Sequence, residues 1–164
     1  MERPGHEKET AVAQESEKIV FQKYEAFITY VPLRTEVPFR DFFTVPESAL
    51  VYEIAPRAAL DLIVEAQRAR EAARDKKTCI FMPGRRFDAS GTRFGQGGGW
   101  YDRFLLQVPE SWVRVGFCFS RQFSTEPLMR EEWDQIMDVV CVVEEKTGTL
   151  TAHETHARFA TLSS

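Results

Sequence analysis

The chain has 164 residues, 43% of them hydrophobic and 28% charged, with a formal net charge of −4. That length supports one domain with a real core and leaves little room for two. The thirteen phenylalanines argue against disorder, and the acidic balance gives no support for a nucleic-acid surface, which is usually basic.

The N-terminal stretch MERPGHEKETAVAQESEK carries acid and has no apolar core, so it resembles neither a signal peptide nor a good transit peptide. No run approaches membrane-spanning length. A cytoplasmic protein is expected, with an organellar location as the alternative. Residues 1–23 are expected to form a charged tail with a short helix over AVAQESEKIVFQKYE, residues 24–145 the domain, and residues 146–164 a polar tail that frays. AFITYV has the β-branched and aromatic density of a buried strand. EVPFRDFFTV predicts a second, which Pro38 confines to an edge or a bend.

Pro56 is placed to open a helix from Arg57 to about Lys76, with Leu60, Ile63, Ala66, Ala69 and Ala73 at inner-face spacing. Arg68, Arg70, Arg74, Lys76 and Lys77 crowd its end, where the dipole favours cations. They form a solvated face or, alternatively, a contact to phosphate or a partner. TCIFMP is a continuous apolar strand, YDRFLLQV a helix, and VRVGFCFS and MDVVCVVEE two more strands. Cys79, Cys118 and Cys141 sit in apolar runs without a CxxC pair and are expected to be reduced core thiols. Strand, loop, helix, strand is a crossover unit. The fold class is therefore α/β, a mostly parallel central sheet flanked by helices, with ligands at the carboxyl ends of the strands. HETH (His153 to His156) does not match H-E-x-x-H and is expected to be a solvated segment. Trp112, Trp133 and Phe123 belong either to the core or to a partner surface.

Between the TCIFMP strand and the next helix lies SGTRFGQGGGWYDRF, in which five of the chain's nine glycines fall. Ordering such a loop costs backbone entropy that something must offset. A strand end leading into a helix start is where α/β proteins gather backbone N–H groups around phosphates. Gly95, Gly97, Gly98 and Gly99 permit close approach to an anion. Arg93 is placed to add a bidentate charge contact, and Asp102 either to ligate a magnesium ion or to cap the helix. Two familiar motifs do not fit. Trp100 stands where G-x-G-x-x-G needs its last glycine, and no lysine follows the glycines as a P-loop requires. By spacing alone, a phosphate site and a merely flexible loop both stay open.

IFMPGRRFDASGTRFGQGGGWYDRFL resembles the signature of the 5-formyltetrahydrofolate cyclo-ligase (methenyltetrahydrofolate synthetase) family. The matching positions are Pro83, Gly84, Phe87, Asp88, Gly91, Arg93, Gly95, Gly97, Gly99, Trp100, Tyr101 and Asp102. VGFCFSRQF resembles the family's strand ending in a glutamine, at Gln122. PLMREEWDQIMDVV resembles its later segment through Pro127, Glu132, Asp134 and Asp138. The resemblance covers about Tyr24 to Glu145 and implies a cyclo-ligase (NagB/RpiA-like) fold. It also implies cyclisation of 5-formyltetrahydrofolate to 5,10-methenyltetrahydrofolate with ATP and Mg2+. The formyl oxygen takes the γ-phosphate, the N10 amine closes the ring, and phosphate leaves. By the same resemblance Gly91, Arg93, Gly95, Gln96, Gly97, Gly98, Gly99, Trp100, Tyr101 and Asp102 hold ATP. Asp102 holds Mg2+, and Arg93 and Tyr101 are catalytic.

Departures accompany the matches. Family members often carry basic residues where Gln96 and Gly98 stand, and His or Asn in place of Trp133, whose indole would reshape or fill the pocket. They usually begin with a basic helix that reaches the ATP. Spacing back from IFMPG, YEAFITYVPLRTEVPFRDF matches the middle of the domain, so part of the N-terminal lobe is expected to be missing or replaced. Glu36 is the alternative match to a folate-side glutamate. Three readings stay open: an active divergent ligase, with a protein partner supplying the missing elements; a degenerate paralogue serving as a scaffold, assembly subunit or ligand-binding protein; and an incomplete copy of a normal enzyme.

Overall fold

The computed structural model describes residues 21–54, 61–95 and 99–155. Strands β1 (Ala26–Tyr30) and β3 (Thr78–Met82) are buried at every position, as continuous apolar runs are in a sheet covered on both faces. β2 (Leu50–Ile54), β6 (Val113–Phe119) and β8 (Val139–Val143) join them in parallel. β9 (Leu150–Glu154) adds an antiparallel edge, giving the order β2-β1-β3-β6-β8-β9. The expected mostly parallel sheet is the observed one. Its order switches between β1 and β3, so a crevice opens outside their carboxyl ends, the usual ligand position in such sheets. Among the described residues no helix is long and apolar enough to cross a membrane.

EVPFRDFFTV is not a strand. Phe39–Phe42 form a short helix, α1, with Pro38 at its N-cap (φ −68°). One turn brings Phe39 and Phe43 to the same side, and both rings reach Phe81, at centroid distances of 4.7 and 4.8 Å. In a strand these rings would stand about 13 Å apart and could not share one partner. Phe21, Phe27 and Phe117 also pack on Phe81, so this aromatic cluster selects the helix.

The long helix begins later than expected. α2 spans Leu62–Ala73, and extended Asp61 caps it by accepting from the amides of Ile63 and Val64 (2.9 and 3.3 Å). Pro56, Arg57 and Leu60 lie outside the described residues. Ala66, Ala69 and Ala73 are buried as expected, but Ile63 is exposed. Successive helical residues point about 100° apart, and half-buried Leu62 takes the inner position instead. Glu65 is buried because the Tyr52 hydroxyl donates to it at 2.8 Å. The basic end is not purely a solvated face: Arg70 donates to the Gln107 carbonyl.

The tail after Lys146 does not simply fray. Residues 150–154 pair with β8, and His153 stacks on Phe123 at 4.9 Å. His156, and the helix expected within residues 1–20, lie outside the described residues. Cys79, Cys118 and Cys141 are buried and form no disulfide among the described residues, and burial pushes the Cys118 thiol up to about 12, as in inert core thiols. Trp112 is buried in the core.

The stretch after β3, expected to be all loop, instead folds into a second sheet. β5 (Arg93–Phe94), β4 (Arg86–Asp88) and β7 (Phe123–Ser124) lie in the order β5-β4-β7. Phe87 of β4 lies over Gly116 of β6, where an added Cβ would stand 2.4 Å from Phe87 Cε1. Gly116→Ala should therefore destabilise the protein by about 1–3 kcal/mol through overpacking. The urea midpoint should fall, and an unchanged midpoint would show that Phe87 can move aside.

Candidate active site

The second sheet fixes the start of the glycine stretch. The Arg85 amide donates to the Phe94 carbonyl at 2.6 Å, and Arg86 sits opposite Phe94 in the β4–β5 register. The turn between these strands is organised by Asp88. Its Oδ1 accepts from the Ser90 amide (3.0 Å), the Ser90 hydroxyl (2.7 Å) and the Thr92 amide (3.0 Å), and its Oδ2 from the Leu128 amide (2.7 Å). Burial alone would push this carboxyl up, but the hydrogen bonds from Leu128, Ser90 and Thr92 together hold it below the ordinary value.

Those bonds lay the segment after Pro127 along the β4–β5 hairpin. The Arg130 guanidinium donates to the Thr92 hydroxyl at 2.8 and 3.0 Å and to the Ser90 hydroxyl at 3.0 Å. Further along, the Met137 amide donates to the Gly91 carbonyl at 2.9 Å. Buried Asp138 accepts from the Arg114 amide at 2.9 Å. Asp88 of the signature and Asp138 of the later matching segment thus pin the two ends of this segment. Gln122 straps neighbouring loops: its side-chain amide reaches the carbonyls of Thr35 (3.1 Å) and Gly84 (3.5 Å).

Between the hairpin, this segment and helix α3 (Trp100–Leu105) lies a cleft of about 750 Å³ at the carboxyl end of β3. Of the expected ligand residues, it is lined by Arg93, Gly95, Gly99, Trp100, Tyr101 and Asp102. Arg93 is only 9% exposed; its Nε donates to the Pro83 carbonyl at 2.6 Å and its guanidinium stands 5.1 Å from the Tyr101 ring centre. Gly95 leaves room for that guanidinium, since a Cβ there would lie 2.9 Å from Nη2. Gly99 precedes α3 at φ +64°, a left-handed conformation that favours glycine.

Asp102 does not cap α3, whose N-cap has no side-chain hydrogen bond. Its Oδ1 accepts from the Gln135 amide at 3.2 Å, and among the described residues no hydrogen bond is made to Oδ2. No group of three or more His, Cys, Asp or Glu side chains suited to a metal occurs among the described residues. A single carboxylate with an open oxygen, facing a cleft that can take phosphates, nevertheless fits Mg2+, which is commonly held by one or two carboxylates, water and nucleotide oxygens.

Other expectations end elsewhere. Gly91 does not line the cleft: at φ +89° it packs so tightly that a Cβ would stand 2.4 Å from the Met137 carbonyl oxygen. Gln96, Gly97 and Gly98 lie outside the described residues. Trp133 does not fill the pocket; it is 68% exposed on the rim, near Met129. Glu36 turns inward, accepting from the Leu33 amide at 2.8 Å, away from the cleft lining. The lining also includes Arg85, Arg86, Phe94, Glu131 and Asp134. Arg85 and Arg86 occupy the variable positions of the signature; two adjacent cations just after a strand end were the available signal.

The 5-formyltetrahydrofolate cyclo-ligase family model matches residues 50–143. The chain is 27% identical over 135 residues to a 5-formyltetrahydrofolate cyclo-ligase of Mycoplasma pneumoniae, covering 73% of this chain and 79% of that one. It is 24% identical over 114 residues to the Mycoplasma genitalium protein of the same name, covering 68% of each. The structure superposes on a 5,10-methenyltetrahydrofolate synthetase from Mycoplasma pneumoniae with a TM-score of 0.54 at 18% identity, over 85% of this chain and 88% of that one.

Proposed function

The chain belongs to the 5-formyltetrahydrofolate cyclo-ligase family, and from that membership we propose that it cyclises 5-formyltetrahydrofolate to 5,10-methenyltetrahydrofolate with ATP and Mg2+. The observation that carries this reading is the convergence of Arg93, Tyr101 and Asp102 on one cleft with Gly95 and Gly99. Phosphoryl transfer to a formyl oxygen asks for positioning and charge neutralisation, not for a covalent protein nucleophile.

The residues present match that demand. The Pro83 carbonyl and the Tyr101 ring hold the Arg93 guanidinium in place, so its charge is preorganised before substrate arrives. Asp102 would hold Mg2+ through its open oxygen, and the bound ion would offset phosphate charge. Gly95 and Gly99 keep the backbone bare where phosphates approach. Trp100, stacked on Phe104 at 5.2 Å, and exposed Trp133 offer flat apolar faces to a pterin or an adenine. The wall from Met129 to Asp134, tied down by Asp88, would limit water around the transferred group.

Titration calorimetry tests the reading. Mg·ATP should bind in the micromolar range and more tightly with 5-formyltetrahydrofolate present. No heat at millimolar Mg·ATP from a folded protein would overturn it.

A further inference from the structure

We propose that Arg85 and Arg86 bind the phosphates of the nucleotide, adding to Arg93 the positive charge that Gln96 and Gly98 do not provide. This rests on the reading of the cleft as a nucleotide site. The stretch offers Gln96 and Gly98 where a cation would serve, and α3 has only six residues, so its dipole is short. Arg93 supplies one cation, held by Pro83 and Tyr101. A triphosphate carries several negative charges, so one guanidinium leaves room for further cations on the cleft wall.

Arg85 and Arg86 line the same cleft and are exposed. Among the described residues, neither side chain makes a hydrogen bond or ion pair. Their position is nonetheless fixed. The Arg85 amide bonds to the Phe94 carbonyl at 2.6 Å, and Phe87 is fully buried. Because side chains alternate along a strand, an inward Phe87 turns Arg86 to the opposite face. Arg86 pairs with Phe94 and Arg85 bonds to it through its backbone, so both lie beside the residue that precedes Gly95. The lining also carries Asp102, Glu131 and Asp134. Cations and carboxylates in one cleft suit a polyphosphate carrying a divalent cation.

The guanidinium pair would also suit the glutamyl carboxylates of a folate, so the test separates the two. Arg85→Gln and Arg86→Gln should each weaken Mg·ATP about 10-fold, the usual scale for a lost charge-assisted hydrogen bond. The double variant should lose more. Affinity for adenosine and for mono- and polyglutamyl 5-formyltetrahydrofolate should stay unchanged, and Arg86→Lys should recover part of the ATP affinity. Arg121→Gln, which removes an exposed arginine paired with Glu145, is the charge control and should leave all affinities alone. Melting temperatures report folding, and loss of ATP affinity counts as support only in variants that melt like the wild type. Unchanged ATP affinity in the double variant would overturn the proposal, as would loss of polyglutamate affinity with ATP affinity retained. A wild-type protein that binds no Mg·ATP would instead overturn the nucleotide reading, and this inference with it.

Discussion

Asp102→Asn should lower kcat by about 100-fold or more while leaving the melting temperature nearly unchanged. The substitution is close to isosteric, and the asparagine carbonyl can still accept the Gln135 amide that Asp102 Oδ1 now accepts at 3.2 Å. The tie between α3 and the segment after Pro127 therefore survives. What disappears is the negative charge facing the cleft, and with it the ligand proposed for Mg2+. Steady-state rates over a range of Mg2+ concentrations distinguish the possibilities. The variant should require far more Mg2+ or fail to respond to it. Half of wild-type activity at ordinary Mg2+ would remove Asp102 from the proposed site.

Asp88→Asn should destabilise the protein by about 2–4 kcal/mol, because four donors converge on this carboxylate. Asparagine offers one acceptor oxygen and turns an NH2 toward groups that are themselves donors. The wild-type carboxyl is held below its ordinary value, so its contribution is fully present above the unfolded-state value of about 3.9 and is lost as pH falls through the lower folded-state value. The stability gap between wild type and variant should thus be full at neutral pH and shrink in acid. Urea unfolding of both proteins across that range measures it. A gap independent of pH would mean that the ionised carboxylate does not hold the turn. Releasing Leu128 also frees the wall from Met129 to Asp134, so kcat/KM should fall even in protein that remains folded.

The sheet was legible where strands are buried on both faces. CIFM is a continuous apolar run, and VRVGFCF is apolar but for Arg114 and Gly116, as a sheet covered on both faces accommodates. Legibility failed where tertiary contacts decide. FRDFF has the residue types of a strand, and only the meeting of Phe39 and Phe43 on Phe81 makes it helical. LVYEI and LTAHE are edge strands whose patterns are too weak to mark them as strands. The glycine motif pointed to the site but blurred two roles within it. Gly91 serves the close approach of the Met137 segment, not the cleft. Arg85 and Arg86 occupy variable positions that the β4–β5 hairpin places in the cleft lining.

The most direct test of the account is turnover: purified protein with 5-formyltetrahydrofolate and Mg·ATP, followed by the absorbance of 5,10-methenyltetrahydrofolate together with ADP release. Product should form only with ATP and Mg2+, with one ADP formed for each ring closed. Folded protein that binds Mg·ATP yet forms no product above the enzyme-free rate would contradict it.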